Sequence, residues 1–249
     1  PQFDITMLEL GWHIVYCDVA NLFGSPKATQ RWDTFYYAMQ SIGLSRTPFL
    51  EGMSRGGLPI HNWAVSNPKK VAGIYDDNCV MDIKSWPAGF GSGGGSALDW
   101  EQCKKAYGFK SDEEAKAFQA NPVDTITTIK EAKIPLLYLV GTADSVVPGL
   151  ENSQLAAQKL NGYAEVFLKE GKGHHPHSLP NPQPIVDFAL RSNGSYTNPA
   201  ALPAPSAEYR GGPAGWGGGI WWNQLEKINQ LSKENQDLEL VFFGDSITQ

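Results

Sequence analysis

A mostly parallel β-sheet sandwiched by helices is the fold class this sequence predicts, and three observations predict it. Short apolar runs alternate with helical patterns over the first two thirds of the chain, the order that strands joined by crossover helices produce. The runs are continuous in aliphatic and β-branched residues rather than strictly alternating, as strands covered on both faces require. Two polar segments rich in chemistry, around Asp144 and around His174, follow directly on such runs, at the carboxyl ends of strands where these sheets place their sites.

Strands are expected over residues 13–19, 48–51, 71–75, 136–140 and 164–168. Helices are expected between them. The stretch 29–42 carries Trp32, Phe35, Tyr36 and Met39 at three-and-four spacing, which puts them on one face. Helical patterns also cover 56–66, 111–120, 150–160 and 184–191. The glycine-rich stretch 89–96 reads as a solvent loop; the alternative is a substrate-side lid containing Trp86 and Phe90. From 192 to 219 Pro, Gly, Ala and Ser dominate without periodicity, which reads as a linker. Its aromatics, Tyr209 and Trp216, suggest that part of it packs on a surface. A helical pattern with Trp221, Leu225, Ile228 and Leu231 on one face then leads to an apolar run at 238–243. The expected organisation is a domain over 1–191, a linker over 192–219 and the start of a second module over 220–249.

With 249 residues, 41% of them hydrophobic, the chain can bury one sizeable core, or one core and a small appendage. The net charge of −6 argues against a nucleic-acid or anionic-membrane partner, since either favours a basic face. No run approaches the roughly 18 apolar residues of a membrane span. Cys17, Cys79 and Cys103 are sparse and odd in number, so neither a disulfide framework nor zinc-ligand spacing is expected. The opening Pro1-Gln2-Phe3 carries no leader and no initiator Met, so a processed or truncated start is expected and the compartment is not readable.

Gly52-Met53-Ser54-Arg55-Gly56-Gly57 fits a Gly-x-Ser-x-Gly elbow, in which a serine occupies a sharp turn between strand and helix and glycines leave room for neighbouring backbone. Pro48-Phe49-Leu50 leads in and a helical pattern leads out. Pro59 lies in or just beyond the first turn of that helix, where it is tolerated. A serine hydroxyl is a poor nucleophile without a base and an orienter for that base. Asp144, in Gly141-Thr142-Ala143-Asp144, and a histidine of Gly173-His174-His175-Pro176-His177 supply both in the order Ser, Asp, His. Three histidines in four positions also suit a metal, but no carboxylate or cysteine lies at ligand spacing nearby. The general-base reading is therefore preferred, with no metal and no cofactor expected; surface histidines in a polar loop are the blander reading.

The blocks 51–57, 141–148 and 173–179 resemble bacterial α/β-hydrolases related to acetylxylan esterases and prolyl-oligopeptidase-like proteins. The resemblance covers residues 1 to about 191. It implies an α/β-hydrolase-type sheet, with Ser54 as nucleophile, Asp144 as orienter and His174 as base, and His175 as the alternative base. The Arg55 backbone N–H, just after the nucleophile, would be one oxyanion donor. In that family the second donor follows the third strand, upstream of the first long helix. Here 3–10 matches that helix, so the fold is expected to be incomplete at its N-terminus. The gap would fall inside the sheet, between the strands at 13–19 and 48–51. Unpaired buried backbone groups cost about 1–3 kcal/mol each, so something must fill it: a second chain, a separate fragment, or a rearranged strand such as 238–243.

The block 238–249, ending Gly244-Asp245-Ser246-Ile247-Thr248-Gln249, resembles the opening of SGNH (GDSL-type) hydrolases, which implies the truncated start of such a domain with Ser246 as its nucleophile. Its partners in that family come near the end of a domain of roughly 200 residues, so Ser246 has no evident base here. Paired esterase-type modules imply an acetyl esterase on decorated carbohydrate, within a bacterial parent exported to the periplasm or outside. Trp86, Trp100 and Trp216 are candidates for stacking on sugar rings, against the commoner core role of aromatics. The competing readings are a prolyl-oligopeptidase-like peptidase and a non-catalytic accessory or carbohydrate-binding domain.

Overall fold

The computed structural model describes residues 2–194 and 240–244. The linker assigned to 192–219 and the helical pattern after it lie outside the described residues, apart from 192–194, as do Trp216 and Ser246. The described strands form one six-stranded sheet in the order β1-β6-β2-β3-β4-β5, and every neighbouring pair is parallel. The strands are β1 (His13–Tyr16), β2 (Phe49–Met53), β3 (Gly73–Asp77), β4 (Leu136–Gly141), β5 (Glu165–Lys169) and β6 (Leu240–Gly244).

Burial follows position in the sheet. Every residue of β2, β3 and β4 is buried, whereas the edge strands β1 and β5 are largely half-buried or exposed. The apolar runs of β2, β3 and β4 thus mark strands covered on both faces, whereas those at 13–19 and 164–168 lie at the edges of the sheet. On one face lie α2 (Pro26–Ser41), α3 (Gly57–Ser66), α6 (Pro122–Glu131) and α7 (Ser153–Leu160), around a core of Trp32, Trp63, Ile74, Ile126 and Tyr138. Trp32 and Tyr36 are one turn apart on α2 and both bury, each large side chain contributing about 1.5–3 kcal/mol. On the other face α1 (Gln2–Glu9) and α8 (Gln183–Ser192) pack Phe3, Met7, Ile185 and Phe188 on Phe49, Tyr75, Leu137 and Leu139. A third cluster, with Phe23, Leu58, Trp86, Trp100 and Cys103, joins α4 (Ala97–Tyr107) and α5 (Asp112–Lys116) to the top of the sheet.

The slot between β1 and β2 is filled by the chain's own 240–244, which pairs with both neighbours. Of the three fillers considered, the rearranged strand is the one the structure places in the slot.

Several expectations shift. The third strand begins at Gly73 rather than at 71 and runs to Asp77, which carries Asp76 and Asp77 into the buried sheet. The helix expected over 111–120 contracts to Asp112–Lys116, and α4 and α6 are additional. The expected helix ends at Lys116, and Asn121 caps the next: the Asp124 carboxylate accepts from the Asn121 N–H at 3.1 Å, closing one end of a capping box. Trp86 and Trp100 are buried, at 5% and 6% exposure, so they are core residues rather than sugar platforms. Cys79 and Cys103 are buried free thiols and Cys17 is half-buried. Among the described residues no helix is long and apolar enough to cross a membrane.

Candidate active site

β2 delivers Ser54 to the carboxyl edge of the sheet, where the backbone turns at once into α3. Ser54 has φ +52°, a left-handed conformation that a residue with a Cβ adopts at a cost and that marks strain at functional turns. The turn is tight. A Cβ on Gly52 would run into the Ile60 side chain and lie 3.2 Å from the Gly56 backbone, and one on Gly57 would lie 2.7 Å from the Val80 carbonyl. Glycine is therefore required at both places. The Val80 N–H donates to the Ser54 carbonyl at 2.8 Å, fixing the elbow to the segment after β3.

His174 reaches the elbow from the loop after β5. Its Nε2 lies 2.9 Å from Ser54 Oγ and its Nδ1 2.7 Å from Asp144 Oδ2. The buried Asp144 carboxylate accepts from the Val146 and Val147 N–H groups, both at 2.9 Å, through its other oxygen. An ionised Asp144 holds the imidazole proton on Nδ1, which leaves the Nε2 lone pair facing the Ser54 hydroxyl. Sequence order alone left three histidines in play, His174, His175 and His177. The structure places His174, not His175, against the serine; His175 is exposed.

The histidine loop is held from below by residues that the sequence reading passed over. Asn78, at φ +50°, donates to the carbonyls of His174 at 2.8 Å and Gly173 at 3.4 Å, and accepts from the Gly141 N–H at 2.7 Å. It thereby ties the loop bearing the base to the loop bearing the carboxylate. Asp77 is buried and accepts from Lys169 Nζ at 2.6 Å, from the Tyr75 hydroxyl at 3.1 Å and from the Ser178 N–H. His177 Nδ1 lies 3.5 Å from the same carboxylate, and Lys169 also donates to the Pro176 carbonyl at 3.2 Å. Burial alone would raise the Asp77 carboxyl; the His177 ring and the Lys169 charge outweigh it and hold it below the ordinary carboxylate range. A strand ending Asp-Asp-Asn was the signal that could have found this anchor, had the strand been extended by two residues.

Arg55 follows the nucleophile. Its buried guanidinium pairs with Asp99 of α4 at 3.0 Å and lies 5.3 Å and 5.0 Å from the ring centroids of Phe23 and Trp86. The elbow is thus clamped to α4, whose N-cap Ser96 donates to Asp99 at 2.6 Å. The glycine-rich 89–96 stretch folds against Glu151, which accepts from the Ser92 N–H and hydroxyl at 2.6 Å. Beneath the elbow, His61 and Asp76 form a buried pair 3.7 Å apart. Burial lowers His61 to about 4 and raises Asp76 to about 7, so each resists its charged form. One ring nitrogen each from His174, His175 and His177 falls within 4.8 Å of the others, and this is the only such group among the described residues.

Ser54, Asp144 and His174 thus converge as a hydrogen-bonded relay at the carboxyl ends of three parallel strands. The architecture is that of the α/β-hydrolases. Solved structures that it resembles include a puromycin hydrolase, at TM-score 0.52 and 19% identity over 70% of this chain and 26% of that one. A puromycin-hydrolyzing peptidase of Mycobacterium tuberculosis is similar at TM-score 0.52 and 15% identity, over 70% of this chain and 26% of that one. The chain thus spans about a quarter of the length of these proteins, 26%. It matches no protein-family model and no curated protein. The SGNH and acetylxylan-esterase likenesses read from sequence find no support in these comparisons.

Proposed function

We propose that the chain is a serine hydrolase that cleaves carboxylic esters through an acyl-enzyme. The observation that carries this reading is the relay of 2.9 Å and 2.7 Å from Ser54 through His174 to Asp144, each contact at hydrogen-bond length. In the first step Nε2 of His174 takes the Ser54 proton as Oγ attacks the ester carbonyl. The Asp144 carboxylate stabilises the imidazolium, and the Arg55 N–H is the proposed donor to the developing oxyanion. His174 then returns the proton to the departing alcohol. In the second step it activates the water that frees Ser54.

The substrate class within this reading is a small acyl ester, with an acetyl ester of decorated carbohydrate as its finer form. The carbohydrate part has lost one support, because Trp86 and Trp100 are buried. A peptidase reading is favoured by the fold neighbours, named as a puromycin hydrolase and a puromycin-hydrolyzing peptidase. An amide uses the same relay but has a poorer leaving group. The deciding experiment compares hydrolysis of p-nitrophenyl acetate with that of an aminoacyl p-nitroanilide by the chain and its Ser54→Ala variant. The ester reading requires ester turnover that Ser54→Ala abolishes and that exceeds anilide turnover; anilide turnover at equal or higher kcat/KM contradicts it.

A further inference from the structure

We propose that His174, His175 and His177 form a binding site for a divalent transition-metal ion of the zinc class, one that competes with Ser54 for the Nε2 lone pair of His174. One ring nitrogen from each of the three histidines already lies within 4.8 Å of the other two. Zinc–imidazole bonds of about 2.0–2.1 Å place tetrahedral ligand nitrogens about 3.3 Å apart. Side-chain rotation in a loop of four residues can supply the difference. The three rings contact one another edge to face at centroid separations of 4.8–5.3 Å, so no side chain separates them.

The surroundings prepare two of the rings as ligands. Asp144 faces Nδ1 of His174 at 2.7 Å, and Asp77 faces Nδ1 of His177 at 3.5 Å. At His174 the hydrogen-bonded carboxylate keeps the proton on Nδ1, turns the lone pair to Nε2 and raises its basicity, the arrangement that zinc-binding histidines use. Nε2 of His177 is buried and has no hydrogen-bond partner among the described residues, although such an atom ordinarily finds one. His175 is exposed, which leaves its ring free to turn toward a bound ion. Asp77 and Asp144 bring two negative charges to the cluster against the single positive charge of Lys169, a balance that suits a dication. Three imidazoles and a water make a ligand set that zinc accepts, whereas magnesium and calcium prefer oxygen.

His174 has one Nε2 lone pair, so a bound ion displaces the Ser54 hydrogen bond. Inhibition of hydrolysis is the consequence, and that clause rests on the proposed triad; the binding site itself does not. The test is isothermal calorimetry of Zn²⁺ and Mg²⁺ with the metal-stripped chain, repeated on His174→Ala, His175→Ala and His177→Ala, with ester hydrolysis followed on the same samples. One Zn²⁺ per chain should bind, Mg²⁺ should not, and each variant should weaken Zn²⁺ by at least about tenfold. Hydrolysis should fall as the site fills and return with EDTA. His177→Ala removes a group packed on Asp77 and can disturb folding, so exposed His175→Ala is the decisive variant. Zinc affinity unchanged in His175→Ala, or no zinc binding by the parent chain, overturns the site. A chain that hydrolyses no ester contradicts the triad reading alone, since calorimetry decides the site either way.

Discussion

Replacing Asp77 by Asn tests whether the histidine loop is held by the buried charge beneath it. Asp77 accepts hydrogen bonds from Lys169, Tyr75 and the Ser178 N–H and faces His177. Asn at this position keeps one acceptor oxygen but turns an NH₂ toward donors, and it leaves the Lys169 ammonium buried at 6% side-chain exposure without its counter-ion. Breaking a buried pair from one side costs about 3–5 kcal/mol. For a domain of this size that corresponds to a fall in Tm of about 6–20 °C. The loop from Pro176 to Ser178 loses its tether, so kcat for ester hydrolysis should fall while the triad side chains remain in the sequence. The assay is a thermal melt together with kcat and KM at a temperature where the variant is folded. Adding Lys169→Met, which removes the stranded charge, should restore a substantial part of the stability but not the kcat. A loss below about 1 kcal/mol with unchanged kcat would refute the reasoning, and so would a double variant no more stable than Asp77→Asn alone.

The orienting role of Asp144 implies that Asp144→Asn lowers kcat by about 10⁴ with little change in stability; a loss under tenfold would place the orienting role elsewhere. The buried Asp76, raised to about 7, implies a pH-dependent difference. Its folded pKa lies above the unfolded value, so the folded state binds the extra proton, and the wild type loses stability as pH rises from about 4 to 7. Asp76→Asn removes that loss. Its stability relative to wild type should rise across this window by up to about 4 kcal/mol, as read from urea titrations at several pH values. A difference that stays constant with pH contradicts it.

The elbow was legible because its geometry restricts residue type. A serine at φ +52° with no room for a Cβ on Gly52 or Gly57 writes a glycine pattern into the sequence. Asp144 and His174 were legible through topology, since each follows an apolar strand at the edge where Ser54 emerges. Choosing among His174, His175 and His177 needed coordinates, because residues this close in sequence share the same spacing signal. Asp77 and Asn78 were missed for a related reason: acidic and amide residues at a strand end look like turn formers, and only cross-chain hydrogen bonds show otherwise. The helices α4 and α6 were missed because each buries only a short apolar stripe, Trp100 and Cys103 on one and Val123, Ile126 and Ile129 on the other. The exposed roles given to Trp86 and Trp100 failed because amphipathic aromatics read alike whether they cover the core or line the surface. The 238–243 run was legible as a strand, but the empty slot left three fillers open, and placing this run between β1 and β2 needed coordinates.

The most direct test of the central claim is covalent labelling. The chain is incubated with a fluorophosphonate, which reacts with activated serines, and the adduct is located by peptide mass spectrometry. The triad account requires a single adduct on Ser54, abolished in Ser54→Ala and reduced by orders of magnitude in His174→Ala. An adduct on Ser246, or a Ser54 that labels equally well without His174, would contradict it.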